Sequence, residues 1–422
     1  MRLPASGPAR DRAIAVLLAV ISTAFRLPRL GFPPEEMFDE VYHAKTALQY
    51  LQGQNPTEWV HPPTAKLLIA AGVWVFGYEP WAWRLVPVLA GIALAPVFYL
   101  LARTVLATER AAVLASVILL ADGVYLVQSR TAMTNIFAVC FQLAAALFLL
   151  RAVLRPVLPV KEMMLAGLFL GLALSTRWTS LFATAFLGLA LLAVRRWRVF
   201  TPRELGLTFV TFAAIPLALY VLSYVPWMMQ VDPWQTRLRE LPEHTRAVWN
   251  YHAGLRAEHP YFSSWYTWPW LYRPTWYYFH QTTEAPITVR GIVALGNPWL
   301  WWASVPVTAW ALVTGVRARD PRRIFSGLGF ACLYLPWGIS PRTLNYGHYL
   351  FEAIPYACLS LGMLLDRYWD TARRDLARGY LALVVATFLF FYPFLVALPV
   401  PSSWYYYNLH GFRPWTWFKT WV

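Results

Sequence analysis

Residues 31–78 read GFPPEEMFDEVYHAKTALQYLQGQNPTEWVHPPTAKLLIAAGVWVFGY, and they decide how the rest of the chain is understood. This is the one long segment before the middle of the chain that cannot cross a bilayer. Four acids fall within six residues (Glu35, Glu36, Asp39, Glu40), followed by a His61-Pro62-Pro63 turn and Lys66. Pro33 and Pro34 preset φ for a helix start, and acids there suit the positive end of the helix dipole. Phe38, Val41, Ala44, Leu48 and Leu51 recur at helical spacing, which predicts an amphipathic helix over 35–52 lying along the membrane. Its other face carries Glu36, Asp39, His43, Thr46 and Tyr50. Asp39 and His43 stand one turn apart, close enough to share a hydrogen bond or a cation. The spacing equally suits acids that merely charge the first turn of a solvated surface helix. Residues 64–78 are too few to span, so they read as a second interfacial or re-entrant helix.

Working outward, the composition excludes a soluble protein. Of 422 residues, 58% are hydrophobic and only 14% charged, against roughly a quarter charged in soluble domains. The net charge of +15 would suggest nucleic acid in a soluble chain; here the positive-inside rule accounts for it, and no nucleic-acid partner is expected. Three cysteines (Cys140, Cys332, Cys358) all lie in apolar runs, which supports neither a disulfide framework nor a zinc site. The first apolar segment has no A-x-A-like cleavage site after it and reads as a retained anchor.

Basic clusters set the topology. Arg2, Arg10 and Arg12 precede the first span and hold the N-terminus in the cytoplasm. Arg103/Arg110, Arg151/Arg155/Lys161, Arg195/Arg196/Arg198/Arg203, Arg317/Arg319/Arg322/Arg323 and Arg367/Arg373/Arg374/Arg378 mark interior turns. Five such turns predict an all-α polytopic protein of about 11 transmembrane helices with an exterior C-terminus. The spans fall near 13–32, 85–105, 111–128, 131–150, 163–178, 180–195, 205–229, 298–316, 324–340, 345–365 and 379–400. The chain is then one transmembrane domain, residues 1–422, with an exterior loop at 31–84, a long exterior loop at 230–297 and an exterior tail at 401–422. Arg84, Asp122, Arg130, Arg177, Arg342, His348 and Glu352 all approach the exterior face. Ionisable groups at that depth pair, face a wet cavity or snorkel to headgroups.

FDEVYHAKTALQYL followed by HPPTAKLLIA resembles the first luminal loop of the protein O-mannosyltransferases, a family within the multi-pass, GT-C type glycosyltransferases that use polyprenyl-phosphate sugars. The likeness continues in WRLVPVLAG (83–91), SRTAMTNIF (129–137), SSWYTWPWLYRPTWYY (263–278), ALGNPWLWW (294–302) and the closing RPWTWFKTWV. Any one string is weak; the ordered set is specific. Two positions depart from the family pattern: Asn135 stands where an aspartate is usual, and Phe351-Glu352 where a proline is common. Relatives with a β-trefoil insert it in the long loop, and about 68 residues leave no room for one.

The resemblance implies an inverting glycosyltransferase moving a sugar, mannose by the family pattern, from a polyprenyl-phosphate carrier to Ser/Thr hydroxyls of exported proteins, at the exterior face of the cell membrane. A phosphate leaving group needs cations, while the acceptor hydroxyl must lose a proton. By match to the family's Asp-Glu pair, Asp39 is the implied base, with Glu40 orienting acceptor or base. Arg84, Arg342, His348 and Tyr346 are the implied donor-phosphate residues. His61, Lys66, Arg130, Asn135, Trp265 and Trp268 are expected to position substrate. The aromatic stretch around Trp265 also reads as an interfacial belt. No cofactor is required, although an Asp39/His43 divalent-metal site stays open. The alternatives are a lipid-modifying enzyme resembling the aminoarabinose transferases and a polyprenyl-lipid transporter. The latter would show inverted repeats, which this chain lacks.

Overall fold

A computed structural model describes residues 7–195 and 200–421; Arg2, Arg196, Arg198 and Val422 lie outside them. Most of the chain is helical. Long runs of Leu, Ala, Val and Phe bring no side-chain partners, so in a bilayer each backbone amide has to bond within its own helix. The first nine helices are α1 (Pro8–Arg26), α2 (Glu40–Leu51), α3 (Thr64–Phe76), α4 (Pro80–Val105), α5 (Glu109–Leu120), α6 (Gly123–Arg130), α7 (Asn135–Val153), α8 (Val160–Leu174) and α9 (Ser180–Val194).

Each of the eleven expected stretches holds a helix. By length and apolarity, five described helices suffice to cross a membrane: α4, α7, Pro202–Ser223, Pro298–Ala318 and Arg374–Phe394. A sixth crossing forms if α5 and α6 count as one span bent by 61°. The others are shorter or, like the 19-residue α1, too charged to meet that standard, so eleven crossings rest on the charge pattern alone. Asp122 explains the bend. Its carboxylate takes the N–H of Tyr125 (3.0 Å), which caps α6, and also the N–H of Asn297 (2.9 Å) and the indole N–H of Trp301 (2.8 Å). The side chain competes with the helix for backbone donors and stops α5 there. Gly91 lets α4 approach α6 closely, since a Cβ there would overlap Ser129.

Helix α2 starts at Glu40, five residues later than expected. Arg84 draws the carbonyls of Leu30 (3.2 Å), Pro33 (2.8 Å) and Glu35 (3.1 Å) onto its guanidinium, so those groups are lost to a helix ladder. Phe38 is left-handed, φ +50°, which ends any helical run before Asp39. The second helix, α3, lies where expected.

The long loop folds as a helix, Gln235–Gly254, and an antiparallel hairpin of β1 (Thr275–Gln281) and β2 (Thr288–Ala294). A third strand, β3 (Val400–Pro401), pairs with β2 through Thr288↔Pro401 and Val289↔Val400. The all-α expectation therefore gains one small sheet. Its register shifts between Trp276 and Tyr278, and Thr275, Trp276 and Tyr277 are buried in succession. Such a bulge re-aims one side chain, here Tyr277, which stacks on Phe38 just ahead of α2. The C-terminal tail packs beneath: Trp421 donates its indole N–H to the Leu271 carbonyl (2.6 Å) and accepts from Trp276 (2.7 Å).

Candidate active site

Asp39 and Glu40 are adjacent in sequence and live in different environments. Glu40 is fully buried. Arg84, equally buried, grips it with Nε (2.9 Å) and Nη2 (2.7 Å), and the N–H groups of Met37 (3.2 Å) and Ala132 (2.9 Å) complete the carboxylate. Every lone-pair direction is used. This corrects two expectations: Glu40 has no capacity left for an acceptor, and Arg84 spends its donors on Glu40 and three carbonyls, with none left for a donor phosphate.

Asp39 occupies the N-cap position of α2, yet its side chain caps nothing. Among the described residues no group donates to its carboxylate and no cation pairs with it. It is half-buried, and burial raises its pKa above the ordinary aspartate value, opposed by His43 and reinforced by Glu58. The next residue back is strained. The left-handed Phe38 is held by stacking on Tyr277 (centroids 4.3 Å, 9°) and by edge contacts to Tyr346 (5.7 Å) and His348 (6.0 Å). Backbone strain of this kind persists only where the surroundings over-determine it, and it clusters at functional sites. The expected Asp39–His43 pairing does not form. His43 is buried, and its Nδ1 meets the Ala132 carbonyl at 2.8 Å. The turn between α6 and α7 thus clamps α2 through both polar groups of Ala132.

A second cluster was not expected from the sequence. Glu58 is buried and salt-bridged to Lys66, itself fully buried. Lys66 also donates to the carbonyls of Glu58 (2.9 Å) and His61 (2.8 Å). Burial alone would raise the Glu58 pKa; the Lys66 ammonium and His61 outweigh it and hold the carboxylate well below its usual range. Glu58 accepts the His61 backbone N–H (3.0 Å) and meets Nδ1 of that ring at 2.8 Å. Burial lowers His61 to about 3, so the ring is neutral. Lys66 is therefore a structural counter-ion rather than a substrate contact, and Glu58 orients His61. Nitrogen and oxygen atoms of His43, Glu58 and His61 lie within 4.8 Å of one another.

His61 opens onto a cavity of about 230 Å³ lined also by Arg177, Arg342, His252, Trp178 and Trp249. Arg342 is tethered by Nε to the Leu344 carbonyl (2.7 Å) and by Nη1 to His252 Nδ1 (3.2 Å), while His252 Nε2 reaches the Val60 carbonyl (2.8 Å). Arg177 is held from behind: Nη1 donates to Asn135 Oδ1 (2.7 Å) and Thr134 (3.1 Å), and Nε lies 3.6 Å from Glu352. Glu352 in turn accepts from Thr179 (2.8 Å) and Gln142 (3.1 Å). Two cations with apolar tryptophans beside them suit a phosphate carried on a lipid tail.

The remaining expected residues divide clearly. Tyr346 and His348 are buried and stacked on each other (5.4 Å, 8°) beneath Phe38. Asn135 is buried and faces Arg177, so it positions a cation instead of substrate. Arg130 is buried against the Arg26 carbonyl, away from the cavity. Trp268 is buried against Trp337 and Tyr349, and Trp265 packs on Tyr334. The Trp268 indole is a core aromatic, not an open face for a sugar, whereas Trp265 is half-buried against the core. His252 and Glu58 escaped the sequence reading, and Arg177 stood out there only as an ionisable group near the exterior face, with no role in the site. A signal existed for Glu58, an acid three residues before the His-Pro-Pro turn; His252 has none before the loop folds back.

The arrangement has close parallels. The family described as dolichyl-phosphate-mannose-protein mannosyltransferase matches residues 16–83 and 79–232. The C-terminal four-transmembrane region of protein-O-mannosyltransferase matches 237–421. A polyprenol-phosphate-mannose–protein mannosyltransferase of Mycolicibacterium smegmatis strain MKD8 is 29% identical over 478 residues, covering 95% of this chain and 93% of that one. Its counterpart from Mycobacterium tuberculosis strain CDC 1551 is 28% identical, covering 92% and 88%. Among solved structures, the Saccharomyces cerevisiae protein O-mannosyltransferase Pmt1–Pmt2 complex bound to the sugar donor superposes with a TM-score of 0.83 at 15% identity, covering 100% of this chain and 94% of that one. ArnT from Cupriavidus metallidurans bound to undecaprenyl phosphate reaches only 0.56 at 18% identity, covering 92% and 71%. With both family regions matched in order along nearly its whole length, the chain belongs to the protein O-mannosyltransferase family.

Proposed function

We propose that this protein transfers mannose from a polyprenyl-phosphate carrier to a Ser or Thr hydroxyl of a protein acceptor, with Asp39 as the base. The carrying observation is the free, half-buried carboxylate of Asp39 within the electrostatic reach of Arg177 and Arg342. The acceptor hydroxyl gives its proton to Asp39 as its oxygen attacks the anomeric carbon. The bond from that carbon to the phosphate oxygen breaks, and the electron pair leaves on the polyprenyl phosphate. Arg177 and Arg342 stabilise that charge in the cavity between them. Neutral His61 and His252 spend their ring N–H on Glu58 and on the Val60 carbonyl, so they line the cavity, with His252 orienting Arg342, and leave the phosphate to the two arginines. Displacement from the opposite face inverts the anomeric centre.

The reading assigns no metal to the reaction. Glu58 already carries the Lys66 charge, so the His43–Glu58–His61 trio has no net negative charge to offset a divalent ion. The family match and the weaker superposition on ArnT favour a protein acceptor over a lipid one. The decisive experiment supplies purified protein in lipid with labelled polyprenyl-phosphate-mannose and a Ser/Thr-rich peptide. Label on the peptide supports the reading, and label on lipid alone refutes it. For orientation we propose the exterior face of the cell membrane, with the N-terminus cytoplasmic. A reporter after Val422 should read exterior and one beside Arg322 cytoplasmic; a cytoplasmic C-terminus would remove the site from that face.

A further inference from the structure

The end of the bundle opposite Asp39 holds a second cavity, of about 350 Å³, between the ends of α1, α4, α7 and α8. Nineteen residues of α4 separate Arg84 from Arg103; at 1.5 Å per residue that is about 28 Å, close to the hydrocarbon thickness of a bilayer. The cavity therefore lies at the headgroup level of the far leaflet.

Its lining is unbalanced. Arg103, Arg151, Arg155 and Lys161 face Asp11 and Glu162, four cations against two acids. Both acids are engaged. Asp11 accepts from Arg103 Nε (2.8 Å) and from the Tyr99 hydroxyl (2.8 Å). Glu162 lies 3.7 Å from Arg155. Arg151 and Lys161 have no hydrogen-bond or ion-pair partner among the described residues, which leaves two positive charges over the cavity. Leu100 and Phe148 supply an apolar wall. Cations at the mouth with apolar side chains along one wall match a phosphate attached to acyl chains, and basic pockets between spanning helices at such a level hold anionic headgroups.

We propose that this cavity binds the phosphate of an anionic phospholipid in the leaflet opposite the active site. The phosphate would sit between Arg151 and Lys161, joining α7 to α8. None of these residues belongs to the mannosyl-transfer site.

The test is native mass spectrometry of the full-length protein released from mixed vesicles of phosphatidylglycerol and phosphatidylcholine, beside a variant carrying Arg151→Gln and Lys161→Gln. Wild type should retain phosphatidylglycerol at least tenfold over phosphatidylcholine, and the variant should lose that preference while its mannosyl transfer persists. Should the double variant fail to fold, Lys161→Gln alone, at an exposed position, should reduce the preference severalfold. Equal retention of the two lipids, or a preference unchanged in a folded variant, overturns the proposal. A second arm adds millimolar inorganic phosphate to delipidated protein and follows thermal unfolding. Stabilisation by phosphatidylglycerol but not by phosphate supports a lipid. Equal stabilisation by inorganic phosphate, lost in the variant, makes the ligand a soluble anion and overturns the lipid assignment.

Discussion

Replacing Asp39 by Asn separates catalysis from capping more sharply than any other change in this protein. The substitution keeps shape and removes the ability to take a proton. General-base catalysis contributes about 10²–10⁴-fold, so turnover should fall by two decades or more. Stability should not fall with it. The Asp39 side chain makes no capping bond, and its pKa is raised by burial. A raised folded-state pKa means the ionised carboxylate costs stability above its unfolded value, and a neutral amide relieves that cost. Thermal unfolding of Asp39→Asn should therefore match or slightly exceed wild type. Glu40→Gln should behave in the opposite way. It removes half of a fully buried ion pair and leaves Arg84 uncompensated, which costs about 3–5 kcal/mol. The assay is transfer of labelled mannose to a Ser/Thr peptide beside a thermal melt of the same preparation. Normal turnover in a folded Asp39→Asn protein refutes the base assignment. A stable, inactive Glu40→Gln protein would reverse the roles within the pair.

Three further changes read out the rest of the site. Arg342→Ala removes a charge-assisted phosphate contact of about 1.5–3 kcal/mol and should raise the donor KM ten- to a hundredfold in a folded protein; an unchanged KM returns Arg342 to a structural tether. Glu58→Gln strands the fully buried Lys66 and should destabilise by about 3–5 kcal/mol, with recovery in the double variant Glu58→Gln, Lys66→Met, measured by thermal unfolding; a stable single variant would dismiss the strut. The pH–rate profile should show an acid limb displaced above the usual aspartate value, with activity lost as pH falls through it and Asp39 takes up a proton. His61, held near 3, adds no inflection at neutral pH, so a limb that shifts in His61→Gln would contradict the assignment.

Much of this protein is written in local patterns. Apolar runs punctuated by arginine specify helices and their ends because a bilayer allows no unsatisfied backbone, and each run did become a helix. Of the two short helices after Pro33, the first was legible from the spacing of Phe38, Val41, Ala44, Leu48 and Leu51, although its start was not, and the second from the His61-Pro62-Pro63 break before a run too short to span. That start depends on Arg84, which reaches back 44 residues to Glu40 and to the carbonyls ahead of it. The family was legible too, since ordered motifs survive in sequence.

What tertiary structure alone decided is which charges are free. Asp39 and Glu40 are alike as letters, and only packing buries one against Arg84 and leaves the other without a donor. The same holds for the arginines. Arg84 and Arg130 turn into the protein, while Arg177, which could as well have snorkelled, is aimed at a cavity by Asn135 and Glu352. His252 reaches the site from 192 residues beyond Val60 because the long loop folds over that residue. The physical reason is one of range. Hydrophobic periodicity is set by neighbours three or four residues apart, whereas the partner of a buried charge is chosen by whichever segment the fold brings within hydrogen-bond distance, and no local pattern encodes that choice.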